Sequence, residues 1–236
     1  MENSPAKTSR WFTACCAVAL LSGGAYYFSD SDHAAISVAH AAEGKTIAAP
    51  VAKITEGAGE QVAIFAGGCF WGVEGVYERV DGVIRVESGY AGGTKSDADY
   101  DLVSDGQTKH AEAVRIVYDP ARVSYDTLLH IFFSVAHNPT ELNRQGPDTG
   151  TQYRSAIFPQ NAAQRAATGA YIKQLNQAKS GRRPIVTRIE SAEFFSAEVY
   201  HQDYMAKNPN SGDILRFDVP KVRALKQLFP NIYRGK

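Results

Sequence analysis

The stretch Gln61-Val62-Ala63-Ile64-Phe65-Ala66-Gly67-Gly68-Cys69-Phe70-Trp71-Gly72 holds the junction on which the fold turns. Residues 61–66 alternate and stop at two glycines, the pattern of a short strand entering a tight turn. Residues 73–80 follow as a helix, so Cys69 lies between a strand end and a helix start. A helix N-terminus carries roughly half a positive charge, which favours thiolate over thiol. A free cysteine more commonly ends as a small buried hydrophobe, and from residue type alone both readings of Cys69 stay open. Phe70 and Trp71 adjoin the thiol. Two adjacent rings on a turn do not bury easily in one direction, so at least one is expected to face a pocket, where rings pack well against sulfur and methyl groups.

Outward from this junction, residues 83–89 and 111–118 read as strands, the second ended sharply by Asp119-Pro120. Ser124 caps a helix whose Leu128, Ile131, Phe132 and Val135 recur at helical spacing. Residues 152–158 read as a strand, and Asn161 with Gln164 resembles a capping box opening a helix toward Gln177. A last strand is expected at 184–189 and a short helix at 198–207. The order strand, helix, strand, strand, helix, strand predicts an α+β fold: a split βαβ, ferredoxin-like core with a mixed sheet, helices packed on it and a long coil-rich C-terminal part.

Composition narrows the function. The chain has 236 residues, 44% hydrophobic and 21% charged, with a formal net charge of zero. It lacks the basic excess that phosphate contacts require, so no nucleic-acid partner is expected, and the cluster at residues 179–183 reads as a solvated loop. The cysteines are Cys15, Cys16 and Cys69, the first two in an apolar N-terminal run. The domain therefore owns one thiol, too few for a disulfide framework or a structural zinc site; neither metal nor cofactor is expected.

Lys7 and Arg10 precede the apolar residues 11–28, the order of a secretory signal or membrane anchor. We read residues 1–41 as a signal peptide or N-terminal anchor, 42–60 as a flexible linker and 61–236 as the catalytic domain. Ala39-His40-Ala41 fits a cleavage site but lies far beyond Phe28, so cleavage, retention as an anchor and, less favoured, a non-exported start all stay open. An exported, periplasmic or envelope-associated location is expected.

Six blocks in order carry a family resemblance: Gly68-Cys69-Phe70-Trp71-Gly72; Gly89-Tyr90-Ala91-Gly92-Gly93; His110-Ala111-Glu112-Ala113-Val114 leading to Tyr118-Asp119-Pro120; Asn143-Arg144-Gln145-Gly146 with Asp148; Gly150-Thr151-Gln152-Tyr153-Arg154-Ser155; and Tyr200-His201-Gln202-Asp203-Tyr204. Across residues 62–233 the chain resembles the type A peptide methionine sulfoxide reductases. The resemblance implies that Cys69 is the nucleophile, Glu112 the acid, Tyr100 and Tyr153 hydroxyl donors to the sulfoxide oxygen, and Asp148 a brace for that network. Phe70 and Trp71 would cup the substrate methyl. Reduction needs a nucleophile at sulfur and a proton at oxygen, and Glu112 can hold that proton only if it is buried. His137 and His201 stay outside the catalytic set, and His110 is expected to help position Glu112.

Many family members carry further cysteines near the C-terminus, whereas none follows Cys69 here. The ending through Asp218-Val219-Pro220-Lys221-Val222 resembles single-cysteine members, and Asn138 stands where an aspartate is common. The expected partners are oxidised proteins or peptides containing methionine S-sulfoxide, with a thioredoxin-like protein or small thiol as reductant; a monomer is expected. Two other classes compete: a cysteine hydrolase pairing Cys69 with His137 or His201, and a non-catalytic thiol redox sensor.

Overall fold

The computed structural model describes residues 47–178 and 183–235. The N-terminal address, with Cys15 and Cys16, and most of the basic 179–183 cluster lie outside these residues. Within them no helix is long and apolar enough to cross a membrane.

In chain order the main elements are β1 (Gln61–Gly67), α1 (Phe70–Tyr77), β2 (Val83–Ala91), α2 (Tyr100–Ser104), β3 (Ala111–Tyr118) and α3 (Tyr125–Ile131), which continues as a wider turn over Phe132–Ala136. After them come β4 (Arg144–Gln145), β5 (Asp148–Thr149), β6 (Ser155–Ile157), α4 (Ala162–Gln177), β7 (Arg188–Ile189), β8 (Phe194–Ser196), α5 (Tyr204–Lys207) and α6 (Val219–Leu228). The sheet order is β7-β6-β1-β3-β2-β8. Its central β6-β1-β3-β2 is the order of a split βαβ core, antiparallel throughout, and the parallel β6–β7 pair makes the sheet mixed. The α+β expectation holds.

Alternation along the strands separates two environments. Val114, Ile116 and Tyr118 of β3 join Phe65 and residues of α1, α3, α4 and α6 in the main core. Ala111 and Ala113 point the other way and meet Ala66, Ala91, Ala156 and Phe158 in a smaller, alanine-rich layer. A period of two puts Glu112 on the helix side with Val114.

Several local expectations need adjustment. Ser124 does cap α3, its Oγ accepting the Thr127 N–H at 3.2 Å. Asn161 caps α4 through the Gln164 N–H, but the Gln164 side chain accepts from Gln160 N–H and donates to the Val62 carbonyl, so the box is not reciprocal. The 152–158 strand shrinks to Ser155–Ile157 behind a tight turn at Thr151–Tyr153, the 184–189 strand keeps only Arg188–Ile189, and the 198–207 helix splits into a turn at Val199–His201 and α5. Strand β8 and helix α6 are additions. The part of the supposed linker that is described does not hang free. The Tyr171 hydroxyl donates to the Ala48 carbonyl, Ile54 N–H donates to Asp126, and Glu56 accepts from Tyr125 N–H and the Tyr118 hydroxyl, which fastens residues 47–60 onto α3 and α4.

Candidate active site

The turn after β1 aims the thiol. Gly68 has φ +91, and a Cβ there would sit 2.6 Å from the Gln145 side chain, so both backbone angle and space demand glycine. Cys69 is the N-cap residue of α1, with φ −51 and ψ 123, and its side chain makes no capping hydrogen bond. It is half-buried, at the positive end of a helix whose every residue is buried.

Glu112 meets this turn from β3. It is 0% exposed, and its Oε2 accepts the Phe70 N–H at 2.9 Å. The amide of the residue after Cys69 thus anchors the proposed acid, and burial, the condition expected for its role, is met. Sequence spacing alone could not show this, because the two residues are 42 positions apart.

The rings divide their directions because consecutive helical residues point about 100° apart. Phe70 is wholly buried against Tyr90 and His201, with ring centroids at 5.9 and 5.0 Å. Trp71 keeps 8% exposure, lies parallel to Tyr204 at 3.6 Å and donates its Nε1–H to His201 Nδ1 at 3.1 Å. Of the two, Trp71 is the ring with an open edge. Tyr100 begins α2, and its ring lies 4.3 Å from that of His201. Glu198 fixes it there, accepting the Tyr100 N–H at 3.0 Å and the Tyr90 hydroxyl at 2.8 Å. His201, read from sequence as structural rather than catalytic, and Tyr204 of the same block form the frame of this aromatic wall with Glu198, which the sequence reading did not single out.

Tyr153 is buried at the end of the Thr151–Tyr153 turn, which packs against β3. Arg154 bolts that turn in place: its guanidinium donates to the Lys109 carbonyl just before β3 and pairs with Glu190 at 2.8 Å. Asp148 sits in β5, where burial above all, with Asp218 and Asp213 nearby, pushes its carboxyl up to about 7 despite the opposing pull of Lys221. Lys221 also interacts electrostatically with Cys69. His110 does not brace Glu112 directly. It accepts the Gly93 N–H and reaches the Thr94 carbonyl, tying the loop that leaves β2. Asn138 uses its side-chain oxygen to accept the Thr140 N–H and hydroxyl, which needs shape rather than charge.

Neither histidine is available as a hydrolase base. His137 Nδ1 faces the Phe132 carbonyl and must carry its proton, leaving Nε2 to accept from the Ser155 hydroxyl at 2.7 Å; burial holds the ring down to about 3. His201 spends the Nδ1 lone pair on Trp71, so in the neutral ring the proton is on Nε2, and burial, against the pull of Glu198, holds it down to about 4. Among the described residues no group of three or more His, Cys, Asp and Glu is placed to hold a metal ion.

The family model "Peptide methionine sulfoxide reductase" matches residues 61–231. The chain is 55% identical over 179 residues to peptide methionine sulfoxide reductase MsrA 2 of Mesorhizobium japonicum, covering 75% of this chain and 92% of that protein. It is 51% identical over 174 residues to the MsrA of Deinococcus radiodurans, covering 73% and 84%. Among solved structures, reduced Mxr1 of Saccharomyces cerevisiae superposes with TM-score 0.57 at 36% identity, covering 71% of this chain and 92% of that one. Methionine sulfoxide reductase A of Corynebacterium diphtheriae gives TM-score 0.56 at 36% identity, covering 65% and 77%. Agreement in sequence over residues 61–231 and in architecture places this chain in the type A peptide methionine sulfoxide reductases, oxidoreductases acting on sulfur.

Proposed function

We propose that the chain reduces methionine S-sulfoxide in proteins or peptides through attack of Cys69 on the sulfoxide sulfur. The observation that carries this is the 2.9 Å hydrogen bond from Phe70 N–H to the fully buried Glu112, which sets an acid beside the residue that follows the nucleophile. As the sulfur–sulfur contact forms, Glu112 supplies a proton to the oxygen, with Tyr100 and Tyr153 as hydroxyl donors and Asp148 bracing them. Trp71 and Phe70 hold the methyl group. Oxygen ends on Cys69 as a sulfenic acid, the cysteine is oxidised by two electrons, and methionine leaves.

No cysteine lies between Cys69 and Lys236 to resolve the sulfenic acid. Two equivalents of external thiol, from a thioredoxin-like protein or a small thiol, therefore reduce it, releasing water and a disulfide. The deciding assay measures methionine formed from an N-blocked S-sulfoxide with dithiothreitol present. Turnover on the S-epimer is expected; no methionine at all would sink the reading. Without reductant, about one methionine per site and dimedone labelling of Cys69 are expected, and a Cys69 disulfide with Cys15 or Cys16 would overturn the single-cysteine cycle.

The charged-then-apolar order of residues 7–28, with residues 1–41 as signal or anchor, supports work outside the cytosol. Residues 1–60 fused to a reporter active only after export should switch it on. A silent reporter made at normal levels would remove the export reading and leave the chemistry untouched.

A further inference from the structure

Helix α6 brings a buried ion pair to the face of α1 that carries Cys69. Lys221 Nζ donates to Asp218 Oδ1 at 3.0 Å, with the two side chains 14% and 6% exposed. The pair lies against Gly72, where a Cβ would come 2.7 Å from Lys221 Nζ and would strike the Asp218 carboxylate. Residues three apart share a helix face, so Gly72 stands one turn below Cys69, and the missing side chain at Gly72 is what lets the ammonium approach that turn.

We propose that Lys221, steered by Asp218 into the space left by Gly72, is a positioning residue that favours the thiolate of Cys69 and so keeps it ready to attack. The inference rests on Cys69 being the nucleophile of the proposed reaction. Lys221 is held by Asp218 and also interacts with Cys69 and Asp148, and Asp218 in turn faces Asp213 and Asp148. Burial works against the ammonium, but Asp218 first, then Cys69 and Asp148, hold it above its ordinary value, so the cation is kept at all working pH.

Other groups also face this cluster. His137 feels Lys221 and stays neutral above about 3, while Asp148, up near 7, is protonated over the acid half of the range. Asp213 acts from the turn before Ile214–Asp218, and Glu112 reaches the same helix start through Phe70 N–H. A helix terminus of eight residues supplies a partial charge, to which Lys221 adds a full one.

The test follows alkylation of Cys69 by iodoacetamide, a neutral reagent, across pH in the full-length protein with Cys15 and Cys16 replaced by serine. In Lys221→Met the rate at pH below the thiol midpoint should fall roughly tenfold, the scale of one opposite charge at short range, while the high-pH plateau stays the same. Lys221→Arg should restore most of the rate. Because a lone Asp218 could unfold the single variant, Asp218→Asn/Lys221→Met removes both charges together; a rightward shift smaller than that of Lys221→Met is expected, since the loss of the carboxylate offsets part of the loss of the ammonium. A folded double variant with the parent's pH profile overturns the proposal. Sulfoxide turnover of the parent, run in parallel, separates the two readings: if it is absent while the alkylation shift is present, the reductase chemistry fails and the lysine's effect on the thiol stands.

Discussion

Two buried carboxylates flank helix α1, and their surroundings make them different instruments. At its start, Glu112 of β3 accepts the Phe70 N–H beside the thiol. Farther along, Glu74 of α1 itself is 2% exposed and takes backbone N–H groups from Asp203 and Tyr204. Asp203 has a left-handed φ of 53, and Tyr204 stacks on Trp71, so Glu74 holds a bend that supports the aromatic wall. Both acids are desolvated and anchored by backbone, yet only one stands where a proton could reach a substrate. Burial marks a carboxyl as costly; position relative to the nucleophile decides whether that cost serves chemistry or scaffold.

The comparison can be broken from its strong end. Cys69→Ser should abolish sulfoxide turnover, because a serine hydroxyl is a far poorer nucleophile toward sulfur; activity above a few percent of the parent would move the nucleophile elsewhere. Glu112→Gln keeps the acceptor for Phe70 N–H and removes the acid proton. Its single-turnover rate should drop roughly 10²-fold or more. An unchanged rate would assign the proton to Tyr100, Tyr153 or water.

Glu74 should show itself in stability instead. Burial, opposed by the Asp203 amide and reinforced by Glu78, raises its carboxyl from 4.5 to about 7. A carboxyl raised on folding contributes stability that is complete below the unfolded value and is lost as pH rises through the folded one. The parent should therefore lose up to about 3 kcal/mol relative to Glu74→Gln between acid and pH 8, by linkage at about 1.4 kcal/mol per pH unit. Parallel denaturation curves for the two proteins at each pH would show that Glu74 is not the group responsible.

The two glycines of α1 sharpen the contrast at smaller scale. Gly72→Ala would push into the Asp218–Lys221 pair, which is buried and fixed, and should cost about 1–3 kcal/mol. Gly75→Ala would meet Met205, with its Sδ at 2.8 Å, but the flexible thioether end can swing aside. Its cost should stay below about 1 kcal/mol. Equal melting shifts would mean that the ion pair gives way as easily as the methionine.

Much of the architecture was legible in linear pattern. Strand β3 has its expected bounds, Ala111–Tyr118, because alternation and Asp119-Pro120 are local signals, and the caps at Ser124 and Asn161 act within one turn of chain. Helix α6 was legible in principle and missed. Val219, Val222, Leu225 and Leu228 recur at steps of three, and Pro220 sits at the helix start. The short strands β7 and β8 were less so, since two or three residues cannot show a period and owe their pairing to the edges of β6 and β2.

By itself the sequence determined the thiol's setting and the family: a strand, two glycines, Cys69 and a helix, with the motifs in order around them. Those features depend on neighbours in the chain. Tertiary structure alone decided which distant groups surround the sulfur. Glu112 reaches Phe70 N–H across 42 residues, His201 reaches Trp71 across 130, and Lys221 enters through the gap at Gly72. Hydrogen bonds and charges act over a few ångströms of space, whatever the separation along the chain, and only the packing of β3, the Val199–His201 turn and α6 around α1 sets those distances.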